Sequence, residues 1–216
     1  MSTQLNQYIE HTILRPDTNL VDIDQICNEA MLYDFAGVCV PPYYVAAAAE
    51  ILAEAPVEII TVVGFPYGYS CTMAKLEELE DAIRKGANHL DVVINIAAVK
   101  NNDWETVENE IETLTRLTHL EGRIIKIIAE TGLMSDIELD LICKIANNAG
   151  IDYLKTSTGI NGTGATVETI QTIRELLEPS IKIKASGGIR TKEFASELIE
   201  SGANRIGASK SVEMMK

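Results

Sequence analysis

Short runs rich in β-branched residues alternate along the whole chain with longer stretches that carry apolar residues at helical spacing. The strand candidates are residues 11–14, 36–40, 57–64, 90–96, 123–130, 152–157, 181–186 and 205–209. The clearest helical stretches are residues 22–35, 74–86, 104–122 and 136–150. Strands that alternate with helices in this way predict a parallel sheet covered by helices.

The residues at the ends of these stretches support the same assignment. Ser135 and Glu138 have the spacing of a capping box, and Gly150 occupies the position of a helix C′ glycine. Three times a helix ends in glycine shortly before the next strand, in "KGANHLDVV", "NAGIDYLKT" and "SGANRIGAS". This recurrence, at uneven intervals, is typical of an array of βα units.

Eight βα units favour an α/β fold of the closed (β/α)8 TIM barrel type over an open sheet. The chain contains neither a G-x-G-x-x-G segment after a strand nor a P-loop, which counts against an open nucleotide-binding sheet. No linker composition interrupts the pattern. We therefore predict one domain over residues 1–216.

The chain carries 18 Lys and Arg residues against 32 Asp and Glu residues, for a net charge of −14. This charge disfavours binding to nucleic acids or anionic membranes, so an anionic ligand would need local attraction from a few cations and backbone N–H groups. The first 14 residues lack the pattern of a signal peptide, and no run of 18 apolar residues occurs. A cytoplasmic location is expected.

The cysteines and histidines show no metal-ligand spacing. The four cysteines are Cys27, Cys39, Cys71 and Cys143. They are far apart, lack a CxxC pair and stand in apolar surroundings, so we expect four buried free thiols. The three histidines are also scattered, and no metal site is predicted.

Four charged residues interrupt otherwise apolar strands: Asp91, Lys126, Lys155 and Lys184. A lysine is almost never fully buried unless it is paired. Each lysine alone has an alternative interpretation, in which its head group reaches a strand end or a neighbouring acid, and for Lys182 we prefer that interpretation. Together, the three lysines and Asp91 indicate a catalytic site.

The chemistry that uses such lysines is Schiff-base formation. An amine attacks a carbonyl only when it is unprotonated, and burial near a second cation favours that form. One lysine would be the nucleophile, the other its neighbouring cation, and Asp91 the proton donor and acceptor. The spacing alone leaves open which lysine attacks.

The segments "YLKTSTG", "HLDVVINIAAVK", "IIKIIAETG" and "IKASGGIR" resemble the signature segments of the deoxyribose-phosphate aldolase family. The segments "IEHTIL", "AGVCVPPYYV" and "VVGFPYG" are similar too, so the resemblance runs from residue 9 to about residue 209. "KTSTG" together with "KASGGIR" is the most specific pair.

The resemblance implies a class I aldolase that interconverts 2-deoxyribose 5-phosphate with acetaldehyde and glyceraldehyde 3-phosphate, in deoxyribose phosphate catabolism, without metal or cofactor. By motif position Lys155 would form the Schiff base, Asp91 would transfer protons and Lys184 would be the neighbouring cation. Lys126 would line the pocket, in contact with a substrate hydroxyl or with Asp91. The resemblance also implies a homodimer.

The substrate phosphate has candidate partners after the last two strands, where "SGGIR" and "GASK" would present backbone N–H groups at loop-to-helix turns. The residues proposed for substrate binding there are Gly187, Gly188, Gly207, Ser209, Arg190 and Lys210. Thr12 and Thr156 are predicted to contact substrate as well. Alternatively, the glycine pair only permits a tight turn, and Lys210 is an ordinary solvated lysine.

Three features depart from the family pattern: Glu10 replaces the frequent Asp, Ile160 replaces the Lys of some members, and "GASK" replaces Ser-Ser or Ser-Gly. We expect none of them to touch Lys155, Asp91 or Lys184. Two alternatives stay open. Another phosphosugar barrel, transaldolase-like or an isomerase, would share the fold, but an isomerase needs no buried lysine nucleophile. A catalytically inactive barrel would have no reason to keep lysines in its strands.

Overall fold

The computed structural model describes residues 5–216, so the first four residues of the predicted domain lie outside the described part. The residues described form a closed barrel of eight parallel strands in chain order. The strands are β1 (Ile9–Thr12), β2 (Gly37–Val40), β3 (Glu58–Val63), β4 (His89–Val93), β5 (Ile124–Ile128), β6 (Tyr153–Lys155), β7 (Lys182–Ser186) and β8 (Arg205–Ala208). The predicted (β/α)8 barrel is confirmed.

Helices cover the outside of the barrel. They are α1 (Leu20–Tyr33), α2 (Val45–Ile51), α3 (Thr72–Arg84), α4 (Ile96–Lys100), α5 (Trp104–Leu120), α6 (Asp136–Ala149), α7 (Val167–Leu176), α8 (Lys192–Glu200) and α9 (Ser211–Met214). Ser135 and Glu138 cap α6 reciprocally, and Gly150 ends it in the left-handed conformation. Both predicted helix signals are confirmed.

Several strand predictions are wrong at their ends. β1 begins at Ile9 instead of residue 11, because the fully buried Ile9 already pairs with Ile206 of β8. β4 ends at Val93 instead of residue 96, because the Asn95 side chain accepts a hydrogen bond from the Ala98 backbone N–H and starts α4. β6 is also shorter than predicted and ends at Lys155.

The apolar core lies between the barrel and its helices, where outward-facing strand residues such as Leu90, Ile125 and Ile183 are fully buried. A smaller apolar cluster, separate from this core, consists of Cys39, Ile60 and Val62 on β2 and β3. The cysteine prediction holds for three residues, but Cys71 is exposed because it stands at the N-cap of α3, in the loop after β3.

Two further properties concern the whole described range. Within residues 5–216, no helix combines the length and the apolar composition that crossing a bilayer requires. In the same range, no three His, Cys, Asp or Glu side chains are grouped closely enough to hold a metal ion.

Candidate active site

Five charged side chains meet inside the barrel, and we call them the charged cluster: Glu10, Asp91, Lys126, Lys155 and Lys184. Strand register brings them together, because Asp91 of β4 is level with Lys126 of β5, and Lys155 of β6 is level with Lys184 of β7. Each of the five is at most 3% exposed. The sequence-predicted catalytic residues therefore lie in one site.

Asp91 touches all three lysines of the charged cluster. Its Oδ2 atom accepts hydrogen bonds from Lys155 Nζ at 2.8 Å and from Lys184 Nζ at 2.7 Å. Its Oδ1 atom lies 3.2 Å from Lys126 Nζ, so the predicted contact between Lys126 and Asp91 is present. Burial alone would raise the pKa of Asp91, but the three ammonium groups outweigh it and hold that pKa well below its usual value.

Glu10, on β1, is the second carboxylate of the charged cluster. Its Oε2 atom accepts a hydrogen bond from Lys184 Nζ, and its Oε1 atom lies 3.3 Å from Lys126 Nζ. Burial would raise the pKa of Glu10, but Lys126 and Lys184 outweigh it and lower the pKa to about 2. Both carboxylates are therefore ionised at neutral pH.

The carboxylates are shared unevenly among the lysines. Lys126 and Lys184 each lie against both Glu10 and Asp91, whereas among the described residues Lys155 is paired with Asp91 alone. With every group ionised, three ammonium groups face two carboxylates, which leaves one positive charge without a counterion. Arg205 Nε adds a further cation 3.8 Å from Glu10 Oε1, so positive charge is in excess here, and Lys155 is the lysine of the cluster with the fewest ion-pair contacts.

The charge state of Lys184 agrees with its predicted role as the neighbouring cation. Burial lowers the pKa of Lys184, but Asp91 and Glu10 outweigh it and raise the pKa above its usual value. Lys184 is therefore a permanent cation with two counterions. Asp91 Oδ2 lies between Lys184 Nζ and Lys155 Nζ, at 2.7 and 2.8 Å, so the two lysines share one carboxylate oxygen.

Loops after β3, β5 and β6 are tied together at the C-terminal mouth of the barrel. Glu130 follows β5 with φ of 51° and is fully buried. Its carboxylate accepts hydrogen bonds from Thr158 Oγ1 at 2.5 Å and from Asn161 Nδ2 at 3.3 Å. Asn161 Nδ2 also donates to the Pro66 carbonyl at 2.8 Å. This arrangement fixes the loop that begins directly after Lys155.

The two glycines after β7 differ in their surroundings. Gly187 and Gly188 both have positive φ, of 90° and 77°. A side chain at Gly187 would meet the Gly164 backbone at 2.8 Å, whereas one at Gly188 would meet nothing within 4 Å. Gly187 is thus needed for close loop packing and Gly188 for its turn conformation, and the space beside Gly188 is open.

The segment "GASK" is placed differently from the prediction. Gly207 lies inside β8 and not at a turn, and a side chain there would meet Lys184 Cε at 3.0 Å. Ser209 and Lys210 are exposed, and Lys210 Nζ donates to Glu213 at 2.8 Å. Lys210 is the N-cap residue of the four-residue helix α9, and its side chain makes no capping hydrogen bond. These contacts favour the alternative in which Lys210 is an ordinary solvated lysine.

The remaining predicted residues lie near the charged cluster or at the barrel mouth. Thr12 ends β1 and donates through Oγ1 to the Glu10 carbonyl at 2.9 Å. Thr156 is buried directly after Lys155, and its Oγ1 atom accepts from the Ser186 backbone N–H at 3.1 Å. Arg190 is exposed after the glycine pair.

A model of one known protein family, described as DeoC/LacD family aldolase, matches residues 5–210, which include all eight strands and the charged cluster. The chain belongs to this aldolase family. The match confirms the family resemblance inferred from the sequence motifs, and it makes the chain an enzyme of the aldolase class.

Relatives in the family cover the full length of the chain. The chain is 46% identical to deoxyribose-phosphate aldolase 1 of Bacillus licheniformis, over 100% of this chain and 96% of that protein. It is 44% identical to the deoxyribose-phosphate aldolase of Brevibacillus brevis, over 98% of this chain and 95% of that protein.

Solved structures of related aldolases have the same fold. The tetrameric deoxyribose phosphate aldolase of Aeropyrum pernix superposes with a TM-score of 0.92 at 31% identity, covering 98% of this chain and 89% of that chain. An aldolase named QR15 superposes with a TM-score of 0.92 at 35% identity, covering 98% of this chain and 94% of that chain.

One expectation about departures from the family pattern is wrong. We expected Glu10 not to touch the three catalytic candidates, but it contacts Lys184 directly. The reason is that β1 starts earlier than predicted, so that Glu10 lies inside the strand and faces the barrel interior. Ile160 is more than half exposed in the loop after β6.

A buried ion pair next to the aldolase site left no signal in the sequence. Lys75 of α3 and Glu110 of α5 meet at 2.7 Å, and Lys75 Nζ also donates to the Val93 carbonyl at the end of β4. Burial lowers the pKa of Lys75 and raises that of Glu110. The pair anchors the C-terminal end of the strand that carries Asp91. Both residues lie in polar-looking helices, so no local signal marks them.

Proposed function

We propose that this aldolase interconverts 2-deoxy-D-ribose 5-phosphate with acetaldehyde and D-glyceraldehyde 3-phosphate through a Schiff base on Lys155. The observation that carries the assignment is the uneven pairing of the charged cluster, in which Lys155 alone has a single carboxylate partner. The names of the full-length relatives support the substrate.

In the cleavage direction, the neutral amine of Lys155 attacks the C1 aldehyde, and loss of water gives the iminium ion. A base removes the proton of the C3 hydroxyl, the C2–C3 bond breaks, and its electron pair forms the enamine. Glyceraldehyde 3-phosphate leaves. Protonation of the enamine at C2 and hydrolysis of the imine then release acetaldehyde and return the amine.

Asp91 is proposed as the group that moves protons during these steps. Its Oδ2 atom lies 2.8 Å from Lys155 Nζ, within reach of groups bonded to that nitrogen. Because its pKa is held low, Asp91 is a carboxylate at rest and returns any proton that it accepts readily. Lys184 keeps the carboxylate ionised.

For the phosphate group, we propose a site beside Gly188 and the start of the following segment. The open space at Gly188 and the exposed guanidinium of Arg190 support this site. Ser209 is a further candidate at the same mouth. The lysine chemistry needs neither metal nor cofactor, because the amine itself activates the substrate carbonyl.

The function is tested by following consumption of 2-deoxyribose 5-phosphate with coupled detection of glyceraldehyde 3-phosphate, in the presence of a chelator. We expect cleavage by the wild type and none by Lys155→Leu, whereas Lys144→Leu, which removes an exposed lysine, keeps wild-type activity. An isomerase would convert a phosphosugar without releasing acetaldehyde, and an inactive barrel would release nothing; either result contradicts the proposal.

We also propose a homodimer, on family resemblance, and the cytoplasmic location expected from the sequence. Light scattering on the purified protein tests the assembly. A mass twice that of one chain is expected, and a tetramer, as named for the Aeropyrum pernix relative, would contradict it.

A further inference from the structure

His89 lies at the start of β4, on the same face of the strand as Asp91. Its Nδ1 atom is 2.9 Å from Nζ of Lys126. The Lys126 ammonium has two other neighbours, Asp91 Oδ1 at 3.2 Å and Glu10 Oε1 at 3.3 Å. An ammonium group has three N–H donors and no acceptor. The contact with His89 is the hydrogen bond of Lys126 Nζ, whereas the two carboxylate oxygens are ion-pair neighbours that do not meet hydrogen-bond geometry.

The contact defines the protonation state of His89. Because the ammonium only donates, Nδ1 must accept, which leaves the imidazole neutral with its proton on Nε2. A protonated imidazole would place a second cation 2.9 Å from the buried Lys126 ammonium. Burial and Lys126 accordingly lower the pKa of His89 to about 3. Lys184 acts in the same direction, while Glu10, 3.9 Å away, and Asp91 act against it.

His89 also faces the other end of the barrel. It lines a cavity of about 450 Å³ at the N-terminal mouth, together with the strand-start residues Tyr153, Lys182 and Arg205 and the acidic Glu58. The imidazole therefore separates Lys126 from that cavity.

We propose that His89 is a positioning residue for the aldolase reaction, which acts by fixing Lys126 through Nδ1. Lys126 held in this way keeps Asp91 Oδ1 engaged, so that Asp91 Oδ2 stays directed at Lys155 and Lys184. Without an acceptor at position 89, one N–H of the buried ammonium loses its partner, and Lys126 moves toward the two carboxylates. The proton-transfer geometry at Lys155 is then lost. The inference rests on the proposed function.

The test compares three variants. His89→Asn places an acceptor oxygen near the position of Nδ1, and His89→Leu removes the acceptor at similar volume. His119→Leu is the matched control, because His119 pairs with Asp152 at 3.0 Å outside the charged cluster. The readouts are kcat, KM, the pH profile of kcat, and ¹⁵N NMR of the imidazole of His89 in the wild type.

We expect kcat of His89→Leu to fall about tenfold at nearly unchanged KM, as for one lost hydrogen bond to a charged group, with an altered pH profile. His89→Asn should stay within about threefold of the wild type, and His119→Leu should match it. The NMR spectrum should show the neutral tautomer protonated at Nε2 between pH 5 and pH 8.

Two kinetic outcomes would overturn the inference: His89→Leu with wild-type kcat and pH profile, or His89→Asn as impaired as a folded His89→Leu. If His89→Leu fails to fold, His89→Asn and the NMR spectrum decide. A proton on Nδ1 at pH 7 would contradict the contact with Lys126. A wild type that does not cleave 2-deoxyribose 5-phosphate would remove the proposed function, while the NMR spectrum would still test the contact.

Discussion

Asp91 and Lys155 stand on strands separated by β5, and their side chains meet across the barrel interior with Oδ2 and Nζ 2.8 Å apart. The same Oδ2 atom holds Lys184, and the other oxygen holds Lys126. The Asp91 carboxylate thus contacts three lysines. Lys155, which has the fewest carboxylate contacts of the three, is the proposed nucleophile.

Replacement of Asp91 by Asn should reduce kcat by about 10²-fold or more, because the amide keeps the shape but cannot accept a proton from the carbinolamine. Substrate binding should persist. Asp140→Asn, which changes a half-buried carboxylate paired with Lys144 outside the charged cluster, serves as the control. Turnover of Asp91→Asn within a few-fold of the wild type would remove Asp91 from proton transfer.

Replacement of Lys184 by Leu should move the activity profile to higher pH. The variant loses a cation bound to the same Asp91 oxygen as the proposed nucleophile, and less positive charge beside an attacking amine favours its protonated, unreactive form at neutral pH. Lys182→Leu is the matched control on the same strand face, because Lys182 is exposed and lies over the Tyr153 ring. An unchanged profile in Lys184→Leu would argue against the electrostatic role.

Replacement of Glu10 by Gln should destabilise the fold by about 3 kcal/mol at pH 7, because two buried ammonium groups lose a counterion. The folded-state pKa of Glu10, about 2, is below the ordinary value of 4.5, so its stabilising effect is complete above pH 4.5 and is lost as the pH falls toward 2. Urea unfolding at several pH values between 2 and 7 measures the free energy of unfolding.

The free energy of unfolding of Glu10→Gln should fall less between pH 4.5 and pH 2 than that of the wild type. Glu10→Asp, which introduces the residue of many family members, provides the comparison: it should recover part of the stability at pH 7. Equal unfolding free energies for Glu10→Gln and wild type at pH 7 would show that the ion pairs with Lys184 and Lys126 contribute nothing.

The barrel could be predicted from the sequence because its signals are local: β-branched runs, helical spacing, the Ser135 capping box and Gly150. The three buried lysines could be found for the same reason, since each interrupts an apolar strand. Contacts across the barrel left no such signal. The two-sided pairing of Glu10 depends on where β1 begins, and the contact of His89 with Lys126 depends on the register of β4 and β5.

Replacement of Lys210 by Ser should leave the preference for phosphorylated over unphosphorylated substrate unchanged within about twofold. Its exposed Nζ atom pairs with Glu213 on the surface, so its charge is directed at that carboxylate. The kcat/KM values for 2-deoxyribose 5-phosphate and for 2-deoxyribose measure the preference. A selective loss for the phosphorylated substrate, equivalent to about 1 to 2 kcal/mol, would instead place Lys210 in the phosphate site.

The most direct test of the central claim is borohydride reduction of the enzyme in the presence of acetaldehyde, followed by peptide mapping by mass spectrometry. Reduction converts the imine into a stable secondary amine and so marks the lysine that attacked. The uneven pairing of the charged cluster predicts one ethyl adduct per chain, on the peptide that contains Lys155. An adduct on Lys184 or Lys126 in place of Lys155, or no adduct in active enzyme, would contradict it.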